Sequence, residues 1–327
     1  MPAPQTPAEI LDVNRRYHDA TAEAYDGKWG ISFGEAGRRQ VRGKLAKLLG
    51  PTPGPFERAL EIGAGTGYFA LNLMQEGIVR AATCTDISPG MLRALEENAA
   101  RLGLDVDAVA CDATELPFAD ASFDLVLGHA VLHHLPFLDR AFAEFSRVLR
   151  PGGVLVFAGE PSRHGDRIAA VPKRAGVRAA PLWRRAMRAR PVARDDGDGG
   201  RRHVDAHGHP NGNGNGNGNG GRPSAHEHTL EHVVDVHAFV PGDLERLAAG
   251  AGFADVRVRG EELLANWFGW FNRTVESTAE PSDIPMPWIQ YAYRGYLLLQ
   301  EVDRRLLEPR LPPRLFYNLM LAARKPA

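Results

Sequence analysis

The sequence has few cysteines, no excess of charge of one sign and no long apolar run, and each absence excludes a class of protein. Its 327 residues include only two cysteines, Cys84 and Cys111, too few for a disulfide scaffold and without the spacing of a metal site. Lysine plus arginine number 39 and aspartate plus glutamate 40, so the net charge of −1 creates no overall field that attracts nucleic acid. The longest apolar stretches, Leu125–Val131 and Val154–Gly159, are far shorter than the roughly 20 residues of a membrane-spanning helix.

The first residues, MPAPQTPAEI, also lack the basic and then apolar pattern of a secretion signal. We therefore expect a cytoplasmic protein without a transmembrane segment and without a nucleic acid partner. Hydrophobic residues make up 44% of the chain and charged residues 24%, the balance of a globular protein with a substantial core.

Between residues 56 and 159, short apolar runs alternate with amphipathic stretches of helical length. This alternation predicts strands at Arg58–Gly63, Ala81–Asp86, Val106–Cys111, Phe123–Gly128 and Val154–Gly159. Because nearly continuous apolar strands separated by helices are buried on both faces, we expect an α/β fold with a doubly wound, mostly parallel sheet. Further strands at Ala254–Arg259 and Leu315–Ala323 would bring the sheet to seven strands.

A glycine-rich segment, Glu61-Ile62-Gly63-Ala64-Gly65-Thr66-Gly67, separates the first predicted strand from the first core helix. Glycines there permit a tight turn and let a ligand approach the N–H groups at the helix N-terminus. Asp86 ends the second strand, near the offset at which a carboxylate binds two ribose hydroxyls, and Asp112 follows the third. Each acid by itself is also a common turn residue, but both fall at carboxyl ends of parallel strands, where α/β sheets bind ligands.

Four motifs in sequence, ALEIGAGTGYFALNL, CTDISPGML, CDATELPFADASFDLVLGHAVLHHL and RVLRPGGVLVF, resemble those of class I S-adenosylmethionine-dependent methyltransferases. The resemblance is greatest to the enzymes that methylate small molecules, quinones and lipids. It is close over Ala59–Glu160 and looser over Tyr17–Trp29 and over FVPGDLERLAAGAGFADVRV. It implies a Rossmann-like methyltransferase fold and S-adenosylmethionine as the cofactor.

The resemblance also implies which residues contact the cofactor. Gly63, Ala64 and Gly65 would face its methionine portion, with Tyr25 covering that end. Asp86 would bind the ribose, Ile87 the adenine ring, and Asp112 with Ala113 the adenine edge. The predicted cofactor set also includes Glu61, in the glycine motif, and His129, which would lie beside the sulfonium. Relatives often carry Asn or Ser at the position of His129.

Three histidines are candidates for a catalytic base, because imidazole titrates near neutral pH. They are His129, at the end of the fourth strand, and His133 and His134 just beyond it. Alternatively, the Leu132–His134 stretch begins the next helix and shapes the pocket, and Glu160 is a weaker candidate base. His226-Glu227-His228 with His232 has metal-site spacing, but its low-complexity surroundings favour a solvated linker, so no metal is expected.

The chain is predicted to divide into four parts. Residues 1–55 would form an N-terminal helical cap and residues 56–160 the cofactor-binding core. Residues 161–228 would be a basic and Asn-Gly-rich insertion after the fifth strand, partly disordered. Residues 229–327 would complete the domain, with a helical substrate-cap insertion at 263–314 between the sixth and seventh strands.

Both insertions have alternative interpretations. The basic stretch Arg163–Arg202, with Leu182, Trp183 and Met187, could contact anionic lipid or a partner or act as a lid, but surface charge runs favour a solvated, partly disordered segment. Trp267 and Trp270 could line an apolar acceptor pocket or pack the extra helices onto the sheet.

These observations favour a methyltransferase that acts on a small, apolar or lipid-like acceptor such as a secondary metabolite. An NAD-dependent oxidoreductase is disfavoured, because the G-x-G-x-x-G fingerprint would need glycine where Tyr68 stands, and because of Asp112. A non-catalytic protein that binds S-adenosylmethionine or a partner stays open, and so does the oligomeric state.

Overall fold

A computed structural model describes residues 6–22, 25–192 and 237–327 of the chain. The strands are β1 (Phe56–Ile62), β2 (Val79–Asp86), β3 (Asp107–Ala110), β4 (Phe123–His129), β5 (Leu149–Pro161), β6 (Ala254–Glu261) and β7 (Asn318–Arg324). The α-helices are α1 (Pro7–Thr21), α2 (Tyr25–Trp29), α3 (Glu35–Leu49), α4 (Tyr68–Gln75), α5 (Pro89–Leu102), α6 (Leu138–Val148), α7 (Arg163–Met187), α8 (Pro241–Gly250), α9 (Leu264–Glu276) and α10 (Met286–Val302). Shorter turns of helix lie at Leu132–His134, Pro281–Asp283, Asp303–Leu307 and Pro313–Leu315.

The strands form one seven-stranded sheet in the order β3-β2-β1-β4-β5-β7-β6. Strands β1 to β5 pair in parallel, and β7 runs antiparallel to both β5 and β6. The predicted α/β fold with a mostly parallel, doubly wound sheet is therefore confirmed. The chain order reverses between β1 and β4, and open α/β sheets bind ligands at the carboxyl ends of the strands beside such a reversal.

Helices cover both faces of the sheet. On one face, Phe142 and Phe145 of α6 pack near Phe157 of β5, and the ring centroids of Phe145 and Phe157 are 5.3 Å apart. On the other face, Leu45 of α3 and Phe69 of α4 belong to a second buried cluster. This burial on both faces explains why the central strands are apolar at almost every position.

The residues at both ends of α5 are typical of helix ends. The side chain of Ser88 accepts a hydrogen bond from the backbone N–H of Met91 at 3.1 Å, and Pro89 occupies the first turn. Gly103 ends the helix with φ of 68°. In the N-terminal segment, α1 ends at Thr21 and the short α2 begins at Tyr25.

The described part of the basic insertion, α7, is a helix with one face packed in the protein interior, which the charge pattern of the sequence did not indicate. Along α7, Ala169, Gly176, Ala180 and Trp183 are buried. Gly176 allows close approach to α9, since a β-carbon at this position would lie 2.8 Å from Cβ of Thr274. The charge of the stretch concealed this narrow face of small residues.

Other predictions fall partly or wholly outside the described residues. The Asn-Gly tract and the sequence His226-Glu227-His228 with His232 are among the residues that are not described. The division into four parts therefore stays a prediction. Of the helices that are described, none is both long and apolar enough to cross a membrane.

Candidate active site

The glycine-rich loop after β1 adopts a conformation that its residue types make possible. Gly63 and Gly65 have φ of 58° and 54°, in the left-handed region that favours glycine. A β-carbon on Gly63 would lie only 2.2 Å from Cγ2 of Val131, so this position also lacks space for a side chain. The loop therefore passes directly beneath the segment that follows β4.

Asp86, at the end of β2, is bonded to that loop. Its Oδ2 accepts a hydrogen bond from the N–H of Gly65 at 2.9 Å, and its Oδ1 accepts one from the N–H of Ser88 at 2.9 Å. Burial raises the pKa of this carboxyl group, while His18 and the backbone N–H groups oppose the rise. A buried carboxylate held by backbone donors is rigid, and its remaining lone pairs can accept from a ligand.

Asp112 lies beyond the end of β3, on the neighbouring strand. Its Oδ1 accepts from both the N–H and the hydroxyl of Thr114, at 2.8 and 2.9 Å. These two bonds fix the carboxylate through one oxygen. The second oxygen, Oδ2, can then serve a ligand.

A single cavity runs across the carboxyl ends of β1 to β4. Nine of the predicted site residues line it: Tyr25, Gly63, Gly65, Asp86, Ile87, Asp112, Ala113, His129 and His134. Residues from α1 and from the loop after β4 close the other side. The structure thus brings together side chains that are up to about 110 positions apart in the sequence.

Three predicted residues do not line the cavity: Glu61, Ala64 and His133. Oε2 of Glu61 accepts a hydrogen bond from the N–H of Ala70 at 2.8 Å, so this carboxyl group anchors the start of α4. Burial raises the pKa of Glu61 to about 8. Ala64 donates its N–H to the carbonyl oxygen of Thr85 at 2.8 Å, which ties the loop to β2.

The three candidate histidines occupy different environments. The His129 ring stacks on Phe69 with centroids 4.9 Å apart and faces Tyr68 edge-on at 5.3 Å. Its other side is against the backbone of Gly159, where a β-carbon would lie 2.8 Å from Nε2. His129 is therefore wedged among packed groups at the edge of the cavity.

His133 and His134 form a turn of 3-10 helix and do not begin the next helix, which starts at Leu138. His133 is buried, and its Nδ1 lies 2.9 Å from Oε2 of Glu160. Glu160 also accepts the N–H groups of Val131 and Leu132, each at 3.0 Å. Despite these donors, burial raises the pKa of Glu160 to about 7.

Helix α1 also contributes to the cavity, which the sequence motifs do not indicate. Leu11, Asn14 and His18 line the cavity at positions i, i+3 and i+7, so they share one helix face. Their spacing is visible in the sequence, but the resemblance implies a site role only for Tyr25 in this segment. Tyr17 is buried and packs against Val13 in the same helix.

His18 connects α1 to the histidines after β4. Its ring centroid is 5.5 Å from that of His134, and the His134 centroid is 3.9 Å from that of His133. Three imidazoles therefore run from the cap to Glu160. Two of them, His18 and His134, are on the cavity wall.

Two carboxylates fasten the N-terminal helices over the cavity. Oδ1 of Asp19 accepts from the N–H of Gly90 at 2.8 Å and from the Ser88 hydroxyl at 2.6 Å, both at the start of α5. Asp26 of α2 accepts hydrogen bonds from Thr66 and Asn98. These bonds place α1 and α2 against the same loop and helix that hold Asp86.

The tryptophans of α9 are not on the cavity wall. Trp270 is only 1% exposed and lies in a cluster with Ala169 and Tyr317, while Nζ of Lys173 is 3.8 Å from its ring centroid. Trp270 therefore packs α9 onto α7 and the sheet. Among the described residues, no group of His, Cys, Asp and Glu has a metal-binding arrangement.

Comparison with known proteins agrees with this geometry. The profile of a family described as a methyltransferase domain matches residues 60–157. A malonyl-[acyl-carrier protein] O-methyltransferase of Geobacter sulfurreducens is 40% identical over 146 residues, which are 45% of this chain and 52% of that protein. A demethylmenaquinone methyltransferase of Mycobacterium sp. (strain KMS) is 35% identical over 190 residues, 58% of this chain and 75% of that protein.

Solved structures show the same fold at low sequence identity. A Haemonchus contortus phosphoethanolamine N-methyltransferase has a TM-score of 0.55 at 18% identity, over 99% of this chain and 61% of that one. The [4+2]-cyclase SpnF has a TM-score of 0.53 at 17% identity, over 100% and 98%. The chain spans about half the length of the malonyl-[acyl-carrier protein] methyltransferases that it matches. It belongs to the class I S-adenosylmethionine-dependent methyltransferase family, whose cofactor is S-adenosylmethionine.

Proposed function

We propose that this protein transfers a methyl group from S-adenosylmethionine to a small, apolar or lipid-like acceptor. The observation that carries the proposal is the cavity in which Asp86 and Asp112, on neighbouring strand ends, face the glycine-rich loop. Two relatives support the acceptor class, since their names specify a malonyl-[acyl-carrier protein] and a demethylmenaquinone.

The residues of the cavity suit an adenosyl group with an amino-acid tail. Asp86 would accept the ribose hydroxyls, because each of its fixed oxygens keeps lone pairs. Ile87, Asp112 and Ala113 would hold the adenine. The cofactor, when bound, supplies an electrophilic methyl group on a sulfonium.

The methionine end of the cofactor would meet the glycine-rich loop. Gly63 and Gly65 line the cavity there, and Ala64 fixes the loop to β2. Tyr25 lies beside them, since a β-carbon on Gly65 would be 4.0 Å from its Cε1 atom. The fastening of α1 and α2 by Asp19 and Asp26 would keep water out of this end, which favours displacement at a cationic centre.

We propose that His134 accepts the proton of an acceptor hydroxyl or acid. It is on the cavity wall and contacts His18, whereas the ring of His133 is buried and bonded to Glu160. His133 and Glu160 would then be positioning residues that hold the turn on which His134 stands. His129, packed between Phe69 and Gly159, would shape the wall near the reacting methyl group.

The experiment is calorimetric titration with S-adenosylhomocysteine and with NAD, followed by transfer of a labelled methyl group to a panel of malonyl thioesters and demethylated quinols. We expect S-adenosylhomocysteine to bind, NAD not to bind, and at least one acceptor to become labelled. The absence of S-adenosylhomocysteine binding would refute the proposal. Binding without any labelling would favour a non-catalytic role. A cytoplasmic location and the lack of a nucleic acid partner stay predictions from composition.

A further inference from the structure

Helix α7 presents a long exposed face on which arginines alternate with aliphatic residues. We call it the arginine face and define it by six exposed side chains: Arg167, Val171, Arg174, Arg178, Leu182 and Arg185. Their spacing of three or four residues places them on one side of the helix. At 1.5 Å of rise per residue, the face is about 27 Å long.

The opposite side of α7 is fixed in the protein interior, so the arginine face has one orientation. Trp183 is 8% exposed and its ring lies 5.2 Å from that of Trp288, whereas the adjacent Leu182 is 73% exposed. Ala180 and Val275 complete this contact. The exposure of Leu182 is therefore a property of a packed helix and not of a loose end.

The arginine face has no neutralising acids in the described residues. The only acidic residue of α7, Asp166, is 3.4 Å from Lys173, and Asp283 is 2.8 Å from Arg190. In the part of the chain that the structure covers, Arg167, Arg174, Arg178 and Arg185 have no ion pair. The arginine face is thus strongly cationic, although the net charge of the protein is −1.

Exposed apolar side chains lie on both sides of the arginines in the arginine face. Val171 and Val177 are 58% and 59% exposed, and they lie to either side of the arginines.

We propose that the arginine face docks on the surface of an anionic phospholipid bilayer. Guanidinium groups bind phosphates in bidentate geometry, and the flanking valines and leucine can enter the layer between headgroups. A bilayer fits this face because its headgroups present phosphates along the whole length of the helix and its interfacial layer admits the aliphatic side chains between the arginines.

Docking would orient the candidate active site. Helix α7 begins at Arg163, three residues after Glu160 at the carboxyl end of β5, so the face is joined directly to the site. A lipid-like acceptor would then be delivered from the bilayer. Only this consequence rests on the proposed function, because membrane binding is measured without turnover.

The test is co-sedimentation of the full chain with vesicles of phosphatidylcholine alone or with about 30 mol% phosphatidylglycerol. We expect binding to the anionic vesicles only, weakened by salt. The variant R174E/R178E should lower the partition coefficient about tenfold or more. Leu182→Ser should lower it several-fold by removing apolar contact.

The matched control is R93E/R259E, which makes the same charge change at exposed arginines on α5 and β6 and should bind within about twofold of the parent. Equal losses in the two double variants would assign binding to net charge and overturn the proposal. Unchanged binding of R174E/R178E, or parent protein that binds polyglutamate but not vesicles, would also overturn it. Titration with S-adenosylhomocysteine in both variants keeps this result separate from that of the proposed function.

Discussion

Nδ1 of His133 lies 2.9 Å from Oε2 of Glu160, and the pair joins the turn after β4 to the end of β5. The same carboxyl group accepts the N–H groups of Val131 and Leu132. Because one buried group satisfies both the ring and the backbone, the turn has little freedom. His134, the next residue, is thereby held on the cavity wall beside His18.

We predict that His134→Asn lowers kcat for methyl transfer by about 10²- to 10⁴-fold, the range for loss of a general base. The affinity for S-adenosylhomocysteine, measured by calorimetry, should change no more than a few-fold. His164→Asn is the control, since His164 is exposed on α7. Wild-type kcat in His134→Asn would show that the acceptor loses its proton without this side chain.

We predict that Asp86→Ala weakens S-adenosylhomocysteine binding by about 2–3 kcal/mol, as expected for lost hydrogen bonds to a charged group. Asp105→Ala, in an exposed loop, is the control for removal of a carboxylate. Calorimetry provides the dissociation constants and circular dichroism the fold. An unchanged constant in folded Asp86→Ala would disprove the ribose assignment.

We predict that Glu61 makes the protein less stable as pH rises. Its pKa of about 8 in the folded protein exceeds the ordinary value of 4.5, so the folded state holds a proton that the unfolded state releases. The free energy of unfolding therefore decreases as pH rises from about 4.5 to about 8. Below about pH 4.5 the carboxyl group is protonated in both states and does not lower the free energy of unfolding. Above about pH 8 the buried charge lowers that free energy fully.

Glu61→Gln isolates that effect, since glutamine keeps an acceptor for the N–H of Ala70 without titrating. The variant should gain stability over the parent between pH 6 and pH 8, by a few kcal/mol at most. Denaturant unfolding across this range measures the difference. A constant difference at every pH would show that Glu61 remains ionised in the folded protein.

We predict that Trp270→Ala lowers the free energy of unfolding by about 3–5 kcal/mol, as deletion of a core aromatic does. Trp267→Ala, at a half-buried position one turn away, should lower it much less. Urea unfolding provides both values. If Trp270→Ala keeps its stability and changes only KM for the acceptor, Trp270 belongs to the pocket and not to the core.

Most of the core could be predicted from local patterns. The apolar run at Phe123–Gly128 determines a strand from neighbouring residues alone, and β4 lies within one position of that prediction. The buried face of helix α7 could not be predicted in this way, because its buried residues are mostly small and arginines dominate its composition. The burial of Trp270 could not be predicted either, because it depends on which helix packs against that side of α9.

The roles of individual acids also required the tertiary structure. Glu61 lies in the same motif as Gly63, yet its side chain accepts a hydrogen bond from the N–H of Ala70 at the start of α4 and does not line the cavity. From the sequence, Glu160 is only a weak candidate base. In the structure it is a buried acceptor for a turn that begins 29 residues earlier in the chain.

The sequence by itself determined the order of strands and helices, the left-handed turn at Gly63 and the strand-end positions of Asp86 and Asp112. These features follow from side-chain periodicity and backbone preference, which act between neighbours. Only the tertiary structure decided that His18 meets His134, or that Lys44 forms a buried ion pair with Glu261, 217 positions away. Such contacts depend on how whole helices pack against the sheet, and local sequence does not encode which distant surfaces will cover one another.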